Sequence, residues 1–336
     1  MRRVLAVFSV TVFALSAAAG GAIAQNPQLV RVATLKLVGG APIFWGIHQG
    51  YFTKGGLNVQ PVYFEAAAPV ATAVATGDTE VGATGITGTL FNLSAGGAKI
   101  WLVADRGQEY AGYHLNAMVV TKTEYAAGVH SLSDLKGKRI GITTLGSSFH
   151  YQLGALLERD HLNLNDVQVV PLRDFNLVVE ALRTGQIDGA ILSPPFGAAS
   201  EQDGWGKVLF WVGDELRNQV TGVFYGAKMH DNRDLGDRFM VGYIRATRDY
   251  YDACLVKPAR GSCDAIVAVT AEVLQQTPAA VRDSLPYIDR NGRLYTLDLQ
   301  RQETWYLANG MSSKSVPLEQ FIDQSFITDA VHTLGP

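Results

Sequence analysis

The chain has 336 residues, 18% of them charged, and a formal net charge of −3 at pH 7. This mild acidity argues against nucleic acid as a partner. The length allows two domains, or one two-lobed body with a substantial core. The 35 glycines are spread along the chain, which is typical of a protein with many strand-to-helix turns.

The first 24 residues have the pattern of a secretory signal peptide. Arg2 and Arg3 precede an apolar run over 4–15, and small residues lead to an Ala-Ile-Ala sequence at 22–24. Cleavage there leaves 312 residues with a formal charge of −5, because the segment carries two arginines and no acid. No later segment has the ~20 uninterrupted apolar residues that a membrane helix needs. We therefore expect an exported mature protein.

The mature chain alternates predicted strands with predicted helices. The strands are expected over 30–37, 59–64, 80–84, 100–104, 117–121, 139–143, 167–171, 187–192, 208–212 and 222–227. Helices are expected between them, and the part after residue 235 is predicted to be helical over 235–251, 264–275 and 299–326 with breaks. This rhythm predicts mainly parallel sheets, whose ligands bind beyond the carboxyl ends of the strands.

One internal similarity indicates two related halves. Residues 73–80 and 181–188 both contain a Thr-Gly pair, two further residues and an acid, followed by a predicted strand. The glycine in each copy fits a helix C-cap. The repetition predicts duplicated α/β lobes that share a cleft.

A Gly-Ser-Ser turn within 139–151 separates a predicted buried strand from a helix with apolar residues at helical spacing. A helix that begins on Ser147 or Ser148 offers unpaired backbone N–H groups, hydroxyls and the positive end of its dipole. The turn therefore either binds an anion or only caps the helix.

Cys254 and Cys263 are the only cysteines and flank a Pro/Gly loop. In an oxidising compartment this pattern predicts a disulfide. The spacing fits neither a CxxC redox pair nor a zinc ribbon.

The chain resembles the nitrate, sulfonate and taurine type of periplasmic substrate-binding proteins of ABC transporters. The resemblance covers nearly all of the mature chain. It rests on the order and spacing of short motifs at 41–59, 76–85, 132–141, 146–150 and 181–190.

This resemblance implies a two-lobed type II periplasmic-binding-protein fold, each lobe a mainly parallel sheet flanked by helices, with a helical C-terminal part. Lobe I would comprise 29–115 plus 223–336, and lobe II 116–222. The cleft would close on a small-molecule ligand, and the closed form, expected to be a monomer, would dock on an ABC permease in the inner membrane. The resemblance implies no cofactor.

In relatives, turns at the carboxyl ends of strands donate hydrogen bonds to an anionic head group such as a sulfonate. A Ser-Pro-Pro-Phe sequence at 193–196 falls where many relatives resemble Trp-Asp/Ala-Pro-Phe/Tyr, so Ser193 replaces a tryptophan and changes one wall. The candidate ligand-binding residues are Gly39, Gly40, Phe44, Thr84, Gly85, Thr87, Arg106, Ser147, Ser148, Phe149, His150, Phe175, Ser193 and Phe196.

Several of these candidates have a second interpretation from their own chemistry. Arg106 either binds a carboxylate or sulfonate bidentately or lies on the surface. Aromatic residues such as Phe44 are expected mostly in the core, with one reaching the pocket. His150 either touches the ligand or is structural. The histidine spacing predicts no metal site.

Three functions remain open. The first is a transport receptor for a small, anionic organic ligand such as a sulfonate, a taurine-like molecule or a carboxylate. The second is a pyrimidine-precursor binding protein, or an enzyme that resembles the thiamine-pyrimidine synthases, although the chain lacks their cysteine-rich motif and common catalytic signatures. The third is a binding module that serves a sensor kinase.

Overall fold

The computed structural model describes residues 26–336, so the expected signal peptide at 1–24 lies outside the described residues. Ten strands form two five-stranded sheets within this range. The strands are β1 (Gln28–Thr34), β2 (Leu57–Tyr63), β3 (Val81–Gly85), β4 (Ile100–Glu109), β5 (Ala117–Thr121), β6 (Arg139–Ile142), β7 (Gln168–Pro171), β8 (Gly189–Leu192), β9 (Gly206–Trp211) and β10 (Asn218–Gly226).

Helices connect and cover these strands. They are α1 (Ala41–His48), α2 (Tyr51–Lys54), α3 (Ala67–Thr76), α4 (Gly88–Ala95), α5 (Lys122–Ala126), α6 (Ser148–Arg159), α7 (Phe175–Arg183), α8 (Phe196–Gln202), α9 (Val212–Glu215), α10 (Ala227–His230), α11 (Arg233–Tyr250), α12 (Cys263–Leu274), α13 (Pro278–Arg282), α14 (Thr296–Ala308), α15 (Leu318–Phe321) and α16 (Ser325–Leu334). The segment between β1 and β2 forms two helices, because Gly50 has a left-handed backbone (φ +66°) that separates α1 from α2.

The two sheets have the same topology. The strand order is β2-β1-β3-β10-β4 in the first sheet and β7-β6-β8-β5-β9 in the second. In each sheet one strand, β10 or β5, runs antiparallel to its two neighbours, and the other four strands run in the same direction. The predicted fold of two mainly parallel lobes is confirmed.

Both faces of the first sheet are buried. Val30 and Val32 of β1 pack into one hydrophobic cluster with α11 and α16, whereas Ala33 packs into another that includes residues of α3, α4 and α14. Successive side chains of a strand point to opposite faces, so a short apolar strand serves both clusters. Helices therefore cover the sheet on two sides and leave its carboxyl edge facing the other lobe.

The chain passes twice between the sheets. Residues 110–116 lead from β4 to β5, and α9 leads from β9 to β10. The returning strand β10 begins at Asn218 and pairs with β3 and β4 of the first sheet. The expected lobe boundary at residue 223 therefore cuts through a strand of the first sheet, and a boundary near residue 218 fits the strand pairing better.

The repeated Thr-Gly segments have matching roles in the two sheets. Arg31 of β1 binds Glu80 before β3 through its backbone N–H (2.7 Å) and its guanidinium Nη2 (2.9 Å). Arg139 of β6 binds Asp188 before β8 in the same way, at 2.7 Å and 2.6 Å. The acid in each copy thus joins two neighbouring parallel strands, which supports the prediction of duplicated lobes.

The C-terminal part is helical, and no third sheet forms within the described residues. The predicted disulfide between Cys254 and Cys263 is present and ties the helical turn after α11 to the start of α12. Over 26–336, no helix is both long and apolar enough to cross a bilayer.

Candidate ligand-binding site

Arg106 is a buried cation at the interface between the lobes. It lies within β4, which extends to Glu109 rather than ending at residue 104 as predicted. Its side chain is 3% exposed, and burial lowers the pKa of Arg106 to about 10. Nη2 donates to Thr34 Oγ1 (3.2 Å), and Nε has no hydrogen-bond partner within residues 26–336.

No carboxylate in the described part of the chain pairs with the Arg106 guanidinium. The adjacent Asp105 lies on the opposite face of β4, where it accepts hydrogen bonds from the backbone N–H groups of Gly107 and Asp289 (2.8 Å each). Gln219 Nε2 also donates to Asp105, at 2.7 Å. A buried cation without an ion-pair partner is unfavourable, and an anion bound at this position would relieve that cost.

The N-terminus of α6 faces the same space from the second lobe. Ser147 is the N-cap, and its Oγ accepts the His150 N–H (3.2 Å). The N–H groups of Ser148 and Phe149 are at the first two helical positions, which have no acceptor within the helix. Unlike Ser147, Ser148 makes no side-chain hydrogen bond within residues 26–336, so its hydroxyl is available to a ligand.

The opposing turns of the first lobe lie very close to these groups. A Cβ added to Gly85 would lie 2.7 Å from Ser148 Oγ, and one added to Gly39 would lie 3.3 Å from Arg106 Nη1. Any larger side chain at Gly85 would therefore push against the serine of the other lobe. Glycine at these positions allows the lobes and the guanidinium to approach each other.

These groups enclose a cavity of about 40 Å³, here called the inner cavity. It contains seven of the predicted site residues and draws on both lobes and both crossovers. The lining residues are Leu35, Leu37, Ala67, Thr84, Gly85, Arg106, Leu115, Asn116, Thr143, Ser147, Ser148, Phe149, Ser193, Val220 and Thr221. One guanidinium and several hydroxyls in a small space suit a compact anionic group.

A second, larger cavity of about 210 Å³, here called the outer cavity, lies beside the inner one. Leu35 and Leu37 line both cavities. The predicted residues Phe175 and Phe196 line the outer cavity, together with Tyr63. The Arg106 guanidinium and most of the hydroxyl groups therefore line the inner cavity, whereas the outer cavity has aromatic side chains on a lining that also contains the polar residues Lys36, Glu65, Asn176 and Gln276.

Five predicted site residues line neither cavity, namely Gly39, which lies against the Arg106 guanidinium, and Gly40, Phe44, Thr87 and His150. Phe44 packs with Val38 and residues of α12 in a hydrophobic cluster, and Gly40 packs against the Phe44 ring. Thr87 caps α4 by accepting the Leu90 N–H at 3.2 Å. His150 accepts the Gly146 N–H through Nδ1 (3.0 Å), and burial lowers the pKa of His150 to about 4. The structure thus gives these residues packing and capping contacts.

Other residues of the inner cavity were not among the candidates from sequence. Thr143 directly follows β6, and its position at the carboxyl end of a parallel strand is a signal that could have identified it. Leu115, Asn116, Val220 and Thr221 come from or next to the crossovers. Their approach to the cleft depends on how the lobes pack, for which the local sequence offers no signal.

A buried polar network connects the crossovers with the inner cavity. Gln152 of α6 donates through Nε2 to Glu109 Oε1 (2.9 Å) and to Asn218 Oδ1 (3.0 Å). Asn116 Nδ2 donates to Gln152 Oε1 (2.9 Å), and Ser193 Oγ donates to Asn116 Oδ1 (2.7 Å). Burial raises the pKa of Glu109 to about 8. The network ties both crossovers to the helix that carries Ser148.

The lobes also touch at the edge of the cleft. Phe175 N–H donates to the Glu65 carbonyl (3.2 Å), and Gly88 N–H donates to the Gly146 carbonyl (2.8 Å). These backbone hydrogen bonds join the two lobes directly.

Comparisons with known proteins agree with this architecture. Residues 39–200 match the family model described as NMT1/THI5 like. A Brachyspira hyodysenteriae protein, named provisionally as an ABC transporter periplasmic binding protein, is 26% identical over 329 residues, covering 92% of this chain and 87% of the relative.

Solved structures share the fold at low sequence identity. The alkanesulfonate-binding protein SsuA from Xanthomonas axonopodis pv. citri, bound to MOPS, has a TM-score of 0.72 at 17% identity, covering 89% of this chain and 99% of SsuA. The nitrate-binding protein NrtA from Synechocystis PCC 6803 has a TM-score of 0.73 at 11% identity, covering 91% of this chain and 89% of NrtA. The desulfurization enzyme DszB has a TM-score of 0.65 at 14% identity, covering 92% of this chain and 100% of DszB.

The sequence match and the shared fold lead to one conclusion. The chain is a homologue of ABC transporter periplasmic binding proteins, has their two-lobed fold, and carries an NMT1/THI5 like region over residues 39–200.

Proposed function

We propose that the mature protein is a periplasmic receptor that binds a small organic anion between its lobes and delivers it to an ABC permease in the inner membrane. The observation that carries this proposal is the buried Arg106 guanidinium, which faces the inner cavity without a carboxylate partner in residues 26–336. An anionic ligand would supply the missing counter-charge.

The donors around Arg106 fit a carboxylate or a sulfonate. A guanidinium binds either group through two parallel N–H bonds. The free N–H groups of Ser148 and Phe149 and the dipole of α6 favour a negative charge at the same place. Thr84 and Thr143 line the inner cavity from opposite lobes and add hydroxyl groups. A neutral pyrimidine precursor would leave the buried charge unpaired, so we rank that alternative lower.

Binding would hold the lobes together. The inner cavity contains residues of both lobes, so a ligand there bonds to both at once and favours the closed arrangement over an open one. We infer that the open form releases the contacts of Phe175 and Gly88 across the cleft and exposes Arg106 to solvent. Lobe closure would then report ligand occupancy to the permease, with the protein acting as a monomer.

A catalytic role has less support than a transport role. Both cysteines of the chain are joined in a disulfide, so neither is a free thiol for a nucleophile or an iron site. The described residues contain no group of three or more His, Cys, Asp and Glu side chains placed to hold a metal. DszB shows only that the fold can also support an enzyme.

A thermal-shift screen of the purified mature protein tests the proposal. The panel would contain alkane- and arylsulfonates, taurine, carboxylates, nitrate, bicarbonate and pyrimidines. A ligand that binds only the folded form adds about 2.7 kcal/mol to the free energy of unfolding at 100 times its Kd. We expect a shift with at least one organic anion, and a flat response to every class would contradict the proposal.

Transport and sensing require a separate test. A permease and an ATPase encoded beside the gene would support delivery to a transporter. An isolated gene beside a histidine kinase would instead favour the sensor alternative.

A further inference from the structure

The outer cavity contains an aromatic row that continues from the inner cavity. Phe149 lines the inner cavity and stacks on Phe175, with ring centroids 5.6 Å apart and planes 20° apart. Phe175 lines the outer cavity and meets Phe196 edge to face, also at 5.6 Å. Aromatic rings favour both arrangements, so the row is a continuous apolar wall from the head-group site outward.

The opposite side of this space is formed by the first lobe. Leu35 and Leu37 line both cavities, and Tyr63 lines the outer one with 39% of its side chain exposed. Lys36 Nζ lies 5.3 Å from the centroid of the Tyr63 ring. The outer cavity thus has aromatic and aliphatic side chains from both lobes, and its remaining lining is polar, with Lys36, Glu65, Asn176 and Gln276.

We infer that the outer cavity is a subsite for an aromatic ring, so that the ligand is an aryl or arylalkyl anion whose head group binds Arg106. This inference rests on the proposed function, because it places the head group in the inner cavity. The inner cavity, at about 40 Å³, holds little more than a head group, whereas the outer cavity has about 210 Å³ for the ring. The ring would stack against Phe175 and Phe196 and face Tyr63.

A substitution at Phe196 best distinguishes loss of a ligand contact from loss of core packing. Phe149 and Phe175 belong to the buried core of the second lobe, whereas Phe196 is only partly buried and packs against its edge. Phe196→Leu keeps an apolar side chain of similar length but removes the ring. The variant should therefore fold, and its unliganded melting temperature verifies this.

The test compares matched anions with and without a ring. Dissociation constants of benzenesulfonate and methanesulfonate, and of benzoate and acetate, are measured by calorimetry for the wild-type protein, Phe196→Leu and Arg106→Met. In the wild type we expect the ring to tighten binding about tenfold or more, as burial of an aromatic ring implies. Phe196→Leu should reduce this ring preference about fivefold and leave methanesulfonate and acetate within twofold.

The variants separate this inference from the proposed function. If Arg106→Met abolishes binding of all four anions but the wild type shows no ring preference, or Phe196→Leu leaves that preference intact, the aromatic subsite is refuted while the anion receptor stands. If Arg106→Met leaves the binding of these anions unchanged, both ideas are overturned. If none of the four binds the wild type, the aromatic subsite is refuted, and the receptor proposal is then decided by the other ligands of the thermal-shift panel.

Discussion

Replacement of Arg106 by methionine should stabilise the unliganded protein while it abolishes ligand binding. Burial lowers the pKa of Arg106 to about 10, which corresponds to a cost of about 3 kcal/mol for keeping the buried side chain charged. Methionine removes that cost, but it also removes the hydrogen bond to Thr34. The loss of this hydrogen bond lowers the free energy of unfolding by about 1–2 kcal/mol and so offsets part of the gain. We expect a net gain of about 1 kcal/mol in the free energy of unfolding.

The same substitution should weaken ligand binding strongly. Truncation of one partner in a buried, hydrogen-bonded charge pair typically costs about 2–5 kcal/mol, which raises Kd roughly 30-fold to several thousand-fold. Urea denaturation without ligand measures the first effect, and calorimetry with the best ligand from the screen measures the second. Arg106→Lys keeps the charge but loses the bidentate geometry, so it should bind with intermediate affinity.

Arg248 provides the matched control. It is also a buried arginine whose pKa is lowered by burial, and it donates through Nε to Asn291 Oδ1 at 2.9 Å. It lies in α11 and lines neither cavity. Arg248→Met should leave Kd unchanged within twofold. Normal binding by Arg106→Met, or a similar loss of binding in both variants, would refute the reasoning.

Three further predictions follow from single contacts. Ser147→Ala removes the α6 cap and should lower the free energy of unfolding by about 1 kcal/mol with little change in Kd. Ser148→Ala should instead raise Kd several-fold at unchanged stability. The reverse pattern would contradict the assignment of Ser147 as the helix cap and Ser148 as the ligand contact. Burial raises the pKa of Glu109 to about 8 in the folded protein, from about 4.5 for an exposed glutamate, so its stabilising effect is complete below about pH 4.5 and is lost as pH rises through about 8. In Glu109→Gln, the urea denaturation midpoint should therefore fall less steeply with rising pH over this range. The same slope as in the wild type would argue against a protonated, buried Glu109 carboxyl group. Reduction of Cys254–Cys263, which closes a short loop, should lower the free energy of unfolding by about 2–3 kcal/mol while Kd is retained, and an unaffected denaturation midpoint under reducing conditions would disprove this.

Much of the fold could be predicted because its signals are local. Each strand is a short apolar run between Gly, Pro or polar turns, and such runs identified all ten strands with shifts at their ends. The extension of β4 to Glu109 was missed because its last residues are charged or polar, a composition that normally ends a strand. Here Asp105, Gln108 and Glu109 have partners in the interior that the local pattern does not show.

The sequence distinguished ligand-contact candidates from structural residues only in part. The Gly-Ser-Ser turn indicated a helix N-terminus with free donors, and that feature depends on sequence alone. Which serine caps the helix and which faces the other lobe depends on backbone geometry at the turn. His150 follows the same turn, yet its ring bonds to Gly146 and packs edge to face on Trp305 of α14, a contact between residues far apart in the chain.

The alternating α/β lobes, the duplicated Thr-Gly segments and the disulfide could be read from the amino-acid sequence, since each depends on residues close together or on a repeated pattern. The surroundings of Arg106 depend instead on the tertiary structure. Asp105 and Arg106 are adjacent in the chain and point to opposite faces of β4, and only the packing of the second lobe makes one face a cleft. Because that packing buries Arg106 without a carboxylate partner in residues 26–336, the arginine becomes a candidate anion receptor rather than a surface residue.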